Sequence, residues 1–270
     1  MNHVPRKRFG QNFLRDKAVI HRILMAVNPG PLDHLVEIGP GEGAITGGLL
    51  SNAARLDAVE IDRDLASHLA QRFADQPNFR LHQADALKFD FSRLNTDEKK
   101  LRIVGNLPYN ISTPLLFHLF SQSDQIADMH FMLQNEVIDR LCASPGESEY
   151  GRLGIMARYY CHAEKLFEVY PESFYPQPKV ISAIVRLTPH NQPPVAADPA
   201  ILSRVLTTAF SQRRKTLRNA LKSLFTEEQL READIDPNAR AETLSLNQYA
   251  GLCQRLVREQ PAANQPEPAS

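Results

Sequence analysis

From residue 35 to residue 133 the chain alternates short apolar runs with helix-length amphipathic stretches, and that alternation leaves little choice of architecture. LVEI (35–38), DAVEI (57–61), FRLHQA (79–84), LRIVGN (101–106) and MHFML (129–133) have the length and apolar content of strands. Between them lie AITGGLLSNA, RDLASHLAQRF with Leu65, Leu69 and Phe73 on one helical face, and PLLFHLFSQ. Thr113 and Pro114 are expected to open that last helix as N-cap and first-turn residue. Repetition of strand, helix and strand predicts a parallel sheet, because parallel neighbours need a long crossover and not a tight turn. A helix around EVIDRLCA follows, and then a β-rich region over 161–188 in which LFEVY and VISAIVRL flank the loop PESFYPQPK.

TPHNQPPVAADP (188–199) is rich in proline and poor in bulky apolar residues, which marks a boundary. The expected organisation is an α/β, Rossmann-like domain over 1–190, with a basic N-terminal segment, and a smaller all-helical domain over 198–258. Thr226 with Gln229, and Ser245 with Gln248, have capping-box spacing there. Residues 259–270 carry too little apolar content to fold and are expected to be a disordered tail.

With 43% hydrophobic residues in 270, a sizeable core is available. Lys plus Arg and Asp plus Glu both number 31, so a polyanionic partner must be met by local patches. Arg6, Lys7, Arg8, Arg15, Lys17 and Arg22 form one, against Asp16 alone. Arg204, Arg213, Arg214, Lys215, Arg218 and Lys222 form another, in a stretch without acids. As a helix, FSQRRKTLRNALKSLF would set Arg214 and Arg218 one turn apart, with Leu217, Leu221 and Leu224 behind them. The three cysteines, Cys142, Cys161 and Cys253, are widely spaced and match no metal-ligand pattern, so they read as packing residues in a reducing compartment, with no metal. No apolar run approaches a membrane span and no apolar segment follows the basic N-terminus, so a cytoplasmic protein is expected.

VEIGPGEGAIT places Gly39, Gly41 and Gly43 between the first strand and its helix, where a ligand can approach the main chain. Gly39, Gly41 and Ala44 also fit the dinucleotide fingerprint, with Glu60 at the spacing of a ribose-binding acid, so an NAD enzyme is open on this loop alone. Charge argues otherwise. Glu37 and Glu42 would repel a diphosphate, whereas a nucleoside bearing a sulfonium is compatible with both. Glu60 and Asp85, at successive strand ends, suit ribose hydroxyls and an adenine amino group.

NLPY (106–109) closes the fourth strand. The exocyclic nitrogen of adenine is a poor nucleophile, because its lone pair is delocalised into the ring. The Asn106 side-chain oxygen and the Leu107 carbonyl could grip its hydrogens. Pro108 restricts Leu107 to extended backbone, and Tyr109 offers a face for an extruded base.

GQNFL, VEIGPGEGAIT, NLPYNIST, ESFYPQPKVISAIVRL and FSQRRKTLRNAL together resemble the ribosomal RNA adenine N6-dimethyltransferases over nearly the whole chain apart from its tail. The Leu in NLPY agrees with the rRNA group and not with many DNA amino-methyltransferases. The resemblance implies a class I S-adenosylmethionine-dependent fold and dimethylation of two neighbouring adenosines in a hairpin loop near the 3′ end of 16S rRNA, in the small (30S) subunit or its precursor, by a monomer. It implies that Asn12, Leu14, Gly39, Gly41, Glu60, Asp85 and Asn106 hold the donor, and that Asn106, Leu107, Pro108 and Tyr109 hold the adenine. Phe174 would stack on the base, and Arg6, Lys7, Arg8, Arg213, Arg214, Lys215 and Arg218 would meet RNA. Two alternatives remain at this point: a 23S rRNA adenine methyltransferase conferring antibiotic resistance, and an assembly factor whose binding outweighs its catalysis.

Overall fold

The computed structural model describes residues 11–95, 99–212 and 214–259. Contacts group the chain into two units: one running to Cys142 and including Tyr160–Asn191, the other made of Ala143–Tyr159 and the chain from Gln192 onward. Residues 143–159, expected in the first domain, thus group with the second.

In the first unit β1 (Phe13–Leu14) precedes α1 (Lys17–Val27). Asp16 caps α1, its Oδ1 accepting from Ala18 N at 2.8 Å and Val19 N at 3.3 Å, a contribution of about 1 kcal/mol. Val19, Ile23 and Val27 recur every four residues and form the helix's buried stripe. Asn28, at φ 46°, ends it in the left-handed region.

The sheet strands follow: β2 (His34–Ile38), β3 (Arg55–Glu60), β4 (Phe79–Gln83), β5 (Leu101–Asn106), β6 (Ile126–Gln134), β7 (Cys161–Val169) and β9 (Ser182–Pro189), with β8 (Phe174–Tyr175) pairing with β1 apart from them. Their order is β4-β3-β2-β5-β6-β9-β7. The pairs from β4 to β6 are parallel, whereas β9 runs antiparallel to both β6 and β7. Crossovers α2 (Thr46–Leu50) and α3 (Arg63–Arg72) carry the chain outward from β2 to β4; it then returns to the other side of β2 as β5. This reversal opens a crevice beyond the carboxyl ends of β2 and β5, the position where such sheets bind ligands. β5 occupies the six residues expected, and the other strands gain or lose residues at their ends.

Leu35, Val104, Met132 and Ile184, from four strands, pack with Val19, Ile23 and Val27 of α1 in one buried cluster. After β5, α4 (Ser112–Phe120) buries Leu115, Leu116, Leu119 and Phe120. The helix starts earlier than Thr113 would have it, with Ile111 at the cap position and no side-chain cap. The reason lies in the preceding turn: Ile111 N donates to Pro108 O, and Ser112 Oγ to Tyr109 O, so helical geometry begins before Thr113. Pro114 then falls at the third helical position, where a missing N–H still costs no intrahelical bond. α5 (Asn135–Cys142) follows β6.

The second unit is helical, with α6 (Arg152–Tyr160), α7 (Pro199–Phe210), α8 (Leu217–Ala220), α9 (Glu227–Glu232) and α10 (Leu246–Glu259). Both expected capping boxes form, Thr226 with Gln229 and Ser245 with Gln248 exchanging side-chain and backbone bonds. Among the described residues no helix is long and apolar enough to cross a membrane. Cys161 and Cys253 are buried, which pushes both thiols up to about 12, in keeping with packing residues.

Candidate active site

A cavity of about 600 Å³ lies at the carboxyl edge of β2, β3 and β5. Asn12, Leu14, Gly39, Gly41, Glu60, Asp85, Asn106, Leu107, Pro108 and Tyr109 all line it, residues that a span of almost one hundred positions separates in sequence.

The glycine loop leaves β2 with Gly39 and Gly41 at φ 64° and 59°, a region closed to most side chains. At Gly41 a Cβ would also come within 3.2 Å of the Phe13 ring, so the loop is held against the wall formed by β1. Glu60 closes the loop from below. Its Oε2 accepts from Gly41 N at 3.2 Å and its Oε1 from Asp62 N at 2.8 Å, so the carboxylate is held in place with acceptor capacity left for a ligand hydroxyl. Burial pushes its carboxyl upward, against the lowering effect of those backbone bonds. Asp85 follows β4, its Oδ1 accepting from Leu87 N at 3.0 Å. Arg15 pairs with Glu42 at 2.6 Å across the loop.

Asn106 ends β5 half-buried, and its Nδ2 donates to the Asn12 carbonyl at 3.1 Å. That bond fixes the amide plane and leaves Oδ1 as an acceptor without a protein donor among the described residues. Leu107 N donates to Met132 O at 3.2 Å, so the Asn106–Leu107 peptide, one unit ahead of the Leu107 carbonyl, is anchored to β6. The Tyr109 hydroxyl meets Ser182 Oγ at 2.8 Å, and burial pushes the phenol upward. The arrangement therefore offers two fixed oxygen acceptors, an aromatic ring held by its hydroxyl, and buried carboxylates on the other side. It can polarise an exocyclic amine and accommodate a cation; the basic side chains that reach the glycine loop are engaged with the loop itself, Arg15 with the Glu42 carboxylate and Arg72 Nη1 with the Glu42 carbonyl at 2.7 Å.

Other expected residues stand elsewhere. Phe174 is buried in the cluster containing Leu14 and Ile184 and does not border the cavity, because its pairing with Leu14 turns the ring into the core. Its neighbour Tyr175 is exposed. The basic stretch of the second unit is not one helix: α7 stops at Phe210, a turn holds Arg214 and Lys215, and Arg218 lies on the short α8. Arg214 and Arg218 are therefore not a turn apart on a shared helix. Leu217 and Leu221 are buried as expected, while Arg218 lies 3.7 Å from Glu227. Arg6, Lys7, Arg8, Arg213 and residues 260–270 lie outside the described residues.

Sequence reasoning passed over Ser182, His130 and Met132. His130 and Met132 border the cavity, and Ser182 holds Tyr109. For His130 and Ser182 the available signal was a polar residue inside an apolar strand, MHFML and VISAIVRL; Met132 carried none. Among the described residues no group of three or more His, Cys, Asp or Glu could hold a metal ion.

The model of the family described as ribosomal RNA adenine dimethylase matches residues 2–257. A protein of Methylococcus capsulatus named ribosomal RNA small subunit methyltransferase A is 60% identical over 95% of this chain and 99% of its own length. Its namesake in Pseudomonas aeruginosa is 55% identical over 94% of the chain and 96% of its own length. Among solved structures, a dimethyladenosine transferase from Plasmodium falciparum superposes with TM-score 0.77 at 26% identity, covering 92% of this chain and 98% of that one. The 23S rRNA methyltransferase ErmE does so with TM-score 0.70 at 25% identity, covering 91% and 100%. The α/β methyltransferase fold, the NLPY acceptor edge and a match along almost the full length agree: this chain belongs to the ribosomal RNA adenine dimethylase family.

Proposed function

We propose that the cavity holds S-adenosylmethionine beneath an adenine extruded from small-subunit rRNA, and that the protein dimethylates N6 of two adjacent adenosines in a hairpin loop near the 3′ end of 16S rRNA. The observation that carries this reading is the Asn106 amide, locked by Asn12 with its oxygen free beside the Leu107–Pro108 peptide. Relatives at 55–60% identity bear a small-subunit name, which favours 16S over 23S rRNA.

The donor supplies an electrophilic methyl group on sulfur. Glu60 would bind the ribose hydroxyls and Asp85 the adenine amino group of the donor, while Gly39 and Gly41 let the main chain approach it. Leu14 and Asn12 form the wall opposite. On the acceptor side, Asn106 Oδ1 and the Leu107 carbonyl draw the N6 hydrogens and orient the lone pair in line with the carbon–sulfur bond. Tyr109 stacks on the base, a contribution of about 1–3 kcal/mol. Fixed dipoles aimed at charge that develops on N6, with near-attack positioning, account for the acceleration. The base must leave any stack first, which suits a hairpin loop. Exposed Arg214, Lys215 and Arg218 would contact phosphates, together with Arg6, Lys7, Arg8 and Arg213; an absence of metal and a monomeric, cytoplasmic protein complete the reading.

Incubation with donor and undermodified 30S or 50S particles, followed by primer extension, tests the reading. Stops at two adjacent adenines near the 3′ end of 16S rRNA are expected; a stop in 23S rRNA would overturn the substrate.

A further inference from the structure

Glu37 is a buried carboxyl at the cavity to which the proposed function gives no task. It lies on β2, 1% exposed, on the same sheet face as Val104 and Asn106, since it pairs with Val104 in register. It borders the cavity, yet its Oε2 has no hydrogen-bond partner among the described residues. A buried carboxylate oxygen without a donor is costly, and in a ligand site it marks a place where a cation or a proton is expected. Burial first, and the like charge of Glu60 in addition, push its carboxyl up to about 7; the neighbouring Thr46 hydroxyl, itself without a hydrogen-bond partner among the described residues, offsets only part of this.

We propose that Glu37 balances the charge of the cavity: a carboxylate while the sulfonium donor is bound, and the acceptor of the proton that N6 releases on methylation. The inference rests on the donor reading above. Methyl transfer forms the N6–C bond and breaks the C–S bond, whose electron pair stays on sulfur. The donor thereby loses its positive charge, and the methylated amine sheds one proton. With that proton on Glu37, reached through water, the sum of donor and Glu37 charges is zero before and after the step. Without it, Glu37 and Glu60 would be neighbouring buried carboxylates beside a neutral thioether. Binding of the next cationic donor expels the proton to solvent, so product and donor exchange is tied to one protonation change. Other ionisable groups border the cavity from the remaining elements: Arg15 and Lys17 beside β1 and on α1, Glu42 on the loop, Arg72 on α3, Asp85 after β4 and His130 on β6.

Calorimetric titration of the full chain at pH 7, in two buffers of different ionisation enthalpy, reads this directly. S-adenosylmethionine should release a fraction of a proton, because burial raises the Glu37 carboxyl to about 7, and S-adenosylhomocysteine should release none. Donor affinity should fall with pH below about 7, towards about tenfold per pH unit, and level off above, and product affinity should show no such fall. Glu37→Gln should abolish the difference and His130→Gln should retain it. Equal proton release by both ligands, or a difference that survives Glu37→Gln or disappears in His130→Gln, would overturn the proposal. If Glu37→Gln does not fold, the wild-type comparison and His130→Gln still decide. Failure of both ligands to bind would remove the donor reading and this inference with it; binding of both without a proton difference would remove this inference alone.

Discussion

Replacement of Arg102 by Met should unsettle the sheet unit through charge more than through volume. Arg102 Nε donates to both Asp128 oxygens at 3.1 Å, and its Nη1 donates to Asp33 at 2.5 Å and Asn28 O at 3.3 Å. Nη2 reaches Val27 O at 2.6 Å, so one side chain ties the end of α1 to β5 and β6. Met preserves the aliphatic stem but leaves two carboxylates and two helix-end carbonyls without their donor. Breaking a fully buried pair costs about 3–5 kcal/mol. Here Asp33 and Asp128 keep 25% and 21% side-chain exposure, so water repays part of the loss and about 2–3 kcal/mol is expected. For a unit of this size that is a fall of roughly 4–12 °C in melting temperature. Differential scanning calorimetry on Arg102→Met and on Arg102→Met/Asp33→Asn/Asp128→Asn should show the triple variant recovering most of the loss. A triple variant as unstable as the single one would refute the charge argument and assign the role to packing.

Asn106→Ala should lower kcat about 10²–10³-fold with an unchanged melting curve, as loss of one preorganised group typically does; single-turnover methylation checks this, and if 30S maturation in cells persists with the variant, binding is the larger biological role. Tyr109→Phe, which frees the ring from Ser182, should cost about 1 kcal/mol in the same assay, and Tyr109→Ala a further 1–3 kcal/mol through lost stacking. Gly105→Ala should weaken both the fold and donor binding by more than 2 kcal/mol, because the new Cβ meets Ile38 O at 2.7 Å within a paired strand; denaturant melts with and without donor would show it. Asp57 is fully buried between His34, His82 and Arg55, and although burial opposes ionisation, these partners hold its carboxyl below the usual range. A depressed folded-state value stabilises above the unfolded value near 4 and is lost as pH falls toward the folded value, so urea melts between pH 5 and pH 2 should fall less steeply in Asp57→Asn.

The central strands β2 and β5 were legible because they are buried on both faces and read as largely apolar runs, whereas the edge strand β4 is only partly buried; LRIVGN is bounded by its own residues. The meeting of the glycine loop with Glu60 and Asp85 at one cavity was legible too, since glycines and acids at successive strand ends come together once the sheet order is known. What escaped depends on distant partners. The Asn106–Asn12 bond spans 94 positions, and nothing local to either residue announces it. For Phe174 the proline-rich loop left a packed corner and an exposed ring equally open, the stacking role came from the resemblance alone, and pairing with Leu14 turns it inward. Thr113 was a sound cap by local preference, overridden by the turn that NLPY imposes ahead of it. The basic run promised one helix on spacing alone, yet the chain bends after Phe210, and Thr216 then bridges to Arg240.

The path of the chain through its two units has a practical consequence. Residues 143–159 leave the sheet sequence and find their partners far downstream: Gly146 N donates to Glu242 O, the Tyr150 hydroxyl to Leu244 O and the Tyr159 hydroxyl to Ala197 O. A stop codon placed after Asn191 would therefore not yield a clean catalytic module. It would strand an internal stitch whose tyrosines had lost their acceptors, and shortened versions of this protein should be designed with that stitch replaced by a brief polar link from Cys142 to Tyr160.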